Sequence, residues 1–164
     1  MNLEFKLDGA KELDELLKQL PANVARRVSA NALRAAGRDM RDEMKRLVPV
    51  ETGDLKKSIK VITAKSEKRD ERNVKVGVIG KETPLAHLVE FGSAAHKIAT
   101  KTKRVLFDAG AGKFFGREVS HPGTPARPFI RPAADAQADR AVQTIGNVLA
   151  EGIEREALKL GKRR

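Results

Sequence analysis

The chain has 164 residues, a formal net charge of +11, six Phe, no Trp, no Tyr and no Cys. That length suits one domain with a single core built from Leu, Ile, Val and Ala, and the missing Cys rules out disulfides, thiolate metal sites and cysteine nucleophiles. No stretch approaches the ~18 apolar residues of a membrane helix, and the acidic first twenty residues lack the apolar run of a secretory signal, so a soluble protein is expected.

Leu3-Glu4-Phe5-Lys6-Leu7 alternates like a half-buried strand, and Asp8-Gly9 supplies a turn. Leu13, Leu16, Leu17 and Leu20 recur at helical spacing up to Pro21. From Ala22 to Leu47 a long amphipathic helix is predicted. Val24, Val28, Ala32, Ala36, Met40, Met44 and Leu47 form its stripe, and Gly37 leaves room for close approach. Pro49 stops it, because a residue before proline avoids helical geometry.

The first of three motifs follows, Pro49-Val50-Glu51-Thr52-Gly53-Asp54-Leu55-Lys56-Lys57-Ser58-Ile59. Thr52 is suited to accept a free backbone N–H, Gly53 to a positive φ, and Asp54 to the start of a helix. Residues 58–65 and 74–79 read as strands paired in a hairpin or meander. Pro84 to Phe91 reads as a short helix with Gly92 just past its end. It carries the second motif, Leu88-Val89-Glu90-Phe91-Gly92-Ser93.

Residues 94–120 are predicted to form an extended basic arm or long hairpin. Lys97, Lys101, Lys103, Arg104, Lys113 and Arg117 meet little compensating acid there, and Phe114-Phe115 is an apolar pair that could contact a partner or DNA. The third motif, Pro125-Ala126-Arg127-Pro128-Phe129-Ile130-Arg131-Pro132-Ala133, is stiff chain feeding a last helix over about 133–160. The stripe of that helix is Ala134, Ala138, Val142, Ile145, Leu149, Ile153 and Leu160. The expected fold is α+β, a small, mostly antiparallel sheet covered by two long amphipathic helices, with the arm beside it. One domain over 1–164 is expected.

Candidate chemistry is thin. His87, Glu90 and His96 could supply half a metal site, but such short matches arise freely, and polar groups at a turn or a subunit contact are the plainer reading. Ser58, His87 and Asp54 can be combined into a triad on paper, without a nucleophile elbow to support it. Gly110, Gly112 and Gly116 are not followed by the Lys-Ser/Thr of a phosphate loop. Pro125 to Pro128 formally fits a proline-rich ligand, but reads better as a rigid connector. Arg27, Arg34, Arg38, Arg41, Lys45 and Arg46 are interrupted by Asp39, Asp42 and Glu43, as on a solvated face. No catalytic residue, metal or cofactor is expected.

The ordered trio of motifs resembles the tail-completion family of long-tailed bacteriophages, the gene-product-ten family of lambda-like phages. Pro49, Thr52, Gly53, Leu55, Ser58 and Ile59 carry the first correspondence. Val89, Glu90, Phe91 and Gly92 carry the second, and Pro128, Phe129, Arg131, Pro132 and Ala133 the third. Ser93 stands where the family usually has Thr, Leu85-Ala86-His87 stands where a Tyr-Ala pair is usual, and Ile130 replaces Leu.

The resemblance implies a structural protein of the virion neck, made in the host cytoplasm. It would be a tail terminator or head–tail joining subunit forming a ring, commonly of six. That ring would contact copies of itself, the tail tube protein and a head-closure or adaptor protein, with possible non-specific contact to packaged DNA and no membrane. Phe91 and Phe129 would act as anchors. The net charge leaves a basic nucleic-acid-binding phage protein as the alternative, with a head-side neck component as another.

Overall fold

The computed structural model describes residues 10–64, 73–100, 105–108, 110 and 112–161. The expected N-terminal strand at Leu3–Leu7, most of the charged turn after Ala64, and the arm cations Lys101, Lys103 and Arg104 lie outside them. Among the described residues, five helices and six strands follow in chain order: α1 (Ala10–Gln19), α2 (Ala22–Leu47), α3 (Asp54–Ser58), β1 (Ile59–Ala64), β2 (Asn73–Val78), α4 (Thr83–Phe91), β3 (His96–Ala99), β4 (Leu106–Asp108), β5 (Lys113–Phe115), β6 (Glu118–His121) and α5 (Ile130–Gly161).

Helix α2 keeps the bounds that its flanking prolines dictate. Val48 turns to extended geometry (ψ 131°) ahead of Pro49, while its N–H still reaches Met44 O. The strands do not merge into one sheet. Among the described residues they form three two-stranded antiparallel ribbons, β1–β2, β3–β6 and β4–β5. Register in the first runs from Ile59↔Val78 to Ala64↔Asn73.

Helix α2 stands between the β1–β2 ribbon and α5, so it buries two faces instead of the single stripe expected. Val28 and Ala32 pack with Leu149 and Ile153 of α5, and Leu13, Leu17 and Leu20 of the α1 region close that cluster. Gly37 lies five positions beyond Ala32, about 140° round the helix, and faces the ribbon. A Cβ there would sit 3.0 Å from Val61, 3.2 Å from Val74 and 3.3 Å from Val76. On the α5 side, a Cβ on Gly152 would come within 2.6 Å of Val28 Cγ1. The Thr144 hydroxyl donates to Asp39 Oδ2 across the same helix pair at 3.0 Å. In α5 the most buried positions are Ala133, Ala141, Leu149 and Ile153, so Ala134 and Ala138 are only half-buried.

A second core cluster joins the ends of several elements: Met44, Val48, Leu55, Ile59, Ala86, Phe129 and Ala133. It lies beneath the three sequence motifs and fixes their positions. Helix α5 starts three residues earlier than the sequence suggests. Pro132 sits in its first turn, where proline's missing N–H costs nothing.

Beyond Ser93 the chain leaves the body as a long hairpin. His96–Ala99 pairs with Glu118–His121, and Leu106–Asp108 pairs with Lys113–Phe115. Thr100 N–H donates to Arg117 O and Leu106 N–H to Gly116 O. Adjacent residues on the returning strand thus bond to residues six apart on the outgoing one. No described arm residue whose exposure is resolved is buried.

Candidate functional site

The three motifs, far apart in sequence, meet at one place. Pro49, Val50, Thr52 and Leu55 form one wall of a groove of about 560 Å³, Leu85 and Val89 form another, and Thr124, Pro125 and Arg127 the third. The groove is built by loops and helix ends over the second core cluster.

The first wall is shaped by a tight turn. Gly53 adopts φ +82°, a left-handed conformation that costs a side-chain-bearing residue about 1–2 kcal/mol. Asp54 N–H donates to Thr52 Oγ1 at 3.3 Å, and the Thr52 hydroxyl donates to Asp54 Oδ2 at 3.0 Å. That hydroxyl bond, helped by the Lys57 ammonium, holds the Asp54 carboxyl below the usual carboxylate range. Leu55 and Ile59 are buried in the core beneath. Ser58 ends α3 instead of opening the strand, and its hydroxyl donates to Leu55 O at 2.7 Å.

The second and third walls are bolted together by Glu90, the one buried charged residue among those described. Its Oε2 accepts from the N–H groups of Phe129 (2.8 Å) and Ile130 (2.8 Å), and its Oε1 from Arg131 (2.9 Å). A helix leaves four N-terminal N–H groups without intrahelical partners. In α5 three of these donate to Glu90, and the fourth position is Pro132, which has none. Ala133 N–H then begins the helical ladder to Phe129 O. A carboxylate also suits the positive end of a 32-residue helix.

The seam continues outward. Arg127 N–H donates to Val89 O at 2.7 Å, and Ser93 and Thr124 exchange backbone hydrogen bonds at 2.9 and 3.0 Å. Gly92 adopts φ +73°, and a Cβ there would meet Thr124 O at 2.5 Å. Gly123, at φ +91°, would drive its Cβ to 2.3 Å from Ser93 O. Backbone therefore fills the space a side chain would need on both strands.

The two expected anchors behave differently. Phe129 is fully buried, whereas Phe91 is 66 % exposed, with its ring 4.8 Å from that of His87. Phe91 is thus a surface group and not a core one. Pro128 and Arg131 are exposed, Arg131 joining the seam through its main chain, and Pro132 is half-buried. On the arm, Lys97 pairs with Glu118 at 2.8 Å and Lys113 lies 5.6 Å over the Phe115 ring. Phe114 packs on Phe107 with ring centroids 4.6 Å apart. Arg117 is exposed on the returning strand.

The groove presents little for bond-making chemistry. No histidine lines it, and of its two hydroxyls, on Thr52 and Thr124, the first is committed to Asp54. No described hydrogen bond links Ser58, His87 and Asp54, since Ser58 turns to Leu55 and Asp54 to Thr52 and Lys57. The half metal site fares no better. Glu90 is spent on backbone donors, His87 rests on Phe91, and His96 lies beside His121 at 5.1 Å. Among the described residues no three metal-ligating side chains cluster. What the arrangement offers is shape: an apolar concavity with a rigid rim.

The family described as "Bacteriophage HK97-gp10, putative tail-component" matches residues 11–92, from helix α1 through the Glu90-Phe91-Gly92 motif. The chain belongs to this family. It is a structural phage tail component, which accords with the order of the motifs. The matched region covers two walls of the groove, and the arm and the third wall lie beyond it. No curated protein and no solved structure matches the chain. Among the described residues no helix is long and apolar enough to cross a membrane.

The sequence reading missed the role of Glu90 and the places of Val50, Leu85 and Thr124 in the groove. The sequence places the start of α5 near Ala133, which hid the need of the Phe129, Ile130 and Arg131 amides for an acceptor from elsewhere.

Proposed function

We propose that this phage tail protein is a tail-completion subunit, a terminator that assembles as a ring of six on the head-proximal end of the tail tube. In this reading it ends tube growth and presents a docking face to the head-closure proteins in the virion neck. It acts by binding with fixed geometry and carries no catalysis. The observation that supports it best is the convergence of all three motifs on one groove whose walls are tied together by the hydrogen bonds of Glu90 and of the Ser93–Thr124 bridge. Such a surface holds a partner at a set angle.

The experiment is electron microscopy of particles produced without this gene. Filled heads beside unattached, overlong tails are the expected result, and normally joined virions would defeat the proposal. Finding the protein on purified headless tails separates the terminator from a head-side neck component.

The net charge of +11 favours one second reading, a nucleic-acid-binding phage protein. Duplex DNA affinity falling steeply with salt, together with normal virion assembly in the gene's absence, would support that reading instead.

A further inference from the structure

Among the described residues the groove and the arm are two apolar surfaces left open, and their shapes are opposite. The concave one is lined by Val50 and Leu85, both exposed, and from Leu85 the exposed Leu88 and Phe91 carry the apolar surface on along the outer face of α4 at i, i+3. The convex one is the arm ridge of Val105, Phe107 and Phe114. Phe107 and Phe114 are 53 % and 69 % exposed despite stacking on each other. The surfaces stand at opposite ends of the ribbon: Thr124 belongs to the groove wall, and Phe114 lies beyond the whole of β6.

We infer that the Phe107–Phe114 ridge of one copy seats at the Val50–Leu85 rim of the groove and on the adjoining Leu88–Phe91 face of the next copy. This rests on the ring reading above and names the contact that would build the ring. Two arguments favour a second copy of this chain as the occupant. A closed cyclic assembly joins two different patches of each subunit head to tail, and the molecule supplies one protruding and one recessed patch. The areas also agree. With an aromatic side chain counting about 150–250 Å², the exposed parts of these seven side chains come to roughly 700 Å². A specific interface begins near 1,200 Å² in total, of which about 56–58 % is apolar, again roughly 700 Å². Either patch alone supplies half of that; the two together complete one interface of ordinary composition.

The chain has no native cysteine, so thiol cross-linking tests the contact cleanly. A Leu85→Cys/Phe114→Cys variant carried into phage particles and treated with a short bis-maleimide is expected to give a ladder of covalent multimers. Either single variant should give monomer only. Cross-linking of Phe114→Cys to a different virion protein, or particles containing the double variant with no ladder, would overturn the inference.

A mixing experiment checks it independently. Phe107→Asp/Phe114→Asp and Leu85→Asp/Leu88→Asp proteins should each remain monomeric, and a mixture of the two should form a 1:1 dimer and nothing larger, because one intact ridge meets one intact groove. A mixture that stays monomeric, or variants that still form the wild-type ring, would sink this contact. A persisting ring leaves the terminator reading intact, whereas normally joined virions made without the gene defeat that reading; the two failures are distinguishable.

Discussion

Glu90 supplies from thirty-nine residues away the acceptor that most helices find in their own first residue. Its loss should therefore cost more than an ordinary cap. Hydrogen bonds to charged groups contribute about 1.5–3 kcal/mol, and a buried donor left alone costs about 1–3 kcal/mol. Water can reach the partly buried Ile130 and Arg131 amides, which reduces the sum. Glu90→Ala is expected to lower the unfolding free energy by about 3 kcal/mol in urea titration, and Glu90→Gln, which keeps one amide oxygen as acceptor, by about half as much. A loss under about 1 kcal/mol would show that the carboxylate holds little. The glycines separate two effects in the same way. Around Gly53 the space is open, so Gly53→Ala should cost only the backbone strain, about 1–2 kcal/mol. Gly92→Ala adds a clash with Thr124 O at 2.5 Å and should cost clearly more by the same titration. The special backbone at both glycines was legible in the sequence, because turn formers flank them. Glu90 was not, since its partners come from a distant segment and a lone acidic residue on a helix usually faces water.

At the scale of elements, α2 is a shared wall whose two faces are set by small residues. Gly152 is the tightest point against α5. A Cβ there collides with Val28 Cγ1, a short stiff side chain that cannot swing far. Gly152→Ala should destabilise the protein even though alanine is the better helix former by about 1 kcal/mol. In a Val28→Ala background the same change should become neutral or stabilising, a coupling of about 1–2 kcal/mol by double-mutant cycle. Additive effects would mean that the helices simply shift apart. The bounds of α2 were readable because prolines punctuate both ends. Its second buried face was hidden: a run of Ala, Gly and Met carries weak hydrophobic contrast, so one stripe looked sufficient. The start of α5 was misplaced because Pro132 reads as a stop, when within a first turn it is harmless.

The whole molecule divides its stability and its contacts unequally. The arm's strands pair with each other, and no described arm residue whose exposure is resolved is buried, so the arm contributes little to the folded body. Replacing residues 96–121 by a short turn should leave the unfolding free energy within about 1 kcal/mol of wild type, measured by denaturant titration, while abolishing particle assembly. A large loss of stability would show that the arm braces the core. Family membership was legible from the order of the motifs, each weak alone. Their meeting at one groove was not, because it depends on how α4 and the start of α5 approach in space. The arm's hairpin form was foreseeable from its length and glycines. Its exposed Phe107 was missed, since Leu106-Phe107 looks like any strand interior.

The Ser93–Thr124 bridge has an engineering consequence. Gly92 and Gly123 lock the two chains leaving the body in fixed directions, and between them no described residue whose exposure is resolved is buried. The seam is a socket: a foreign two-stranded cassette spliced between 93 and 124 would inherit its heading from the host, and the host would keep its shape.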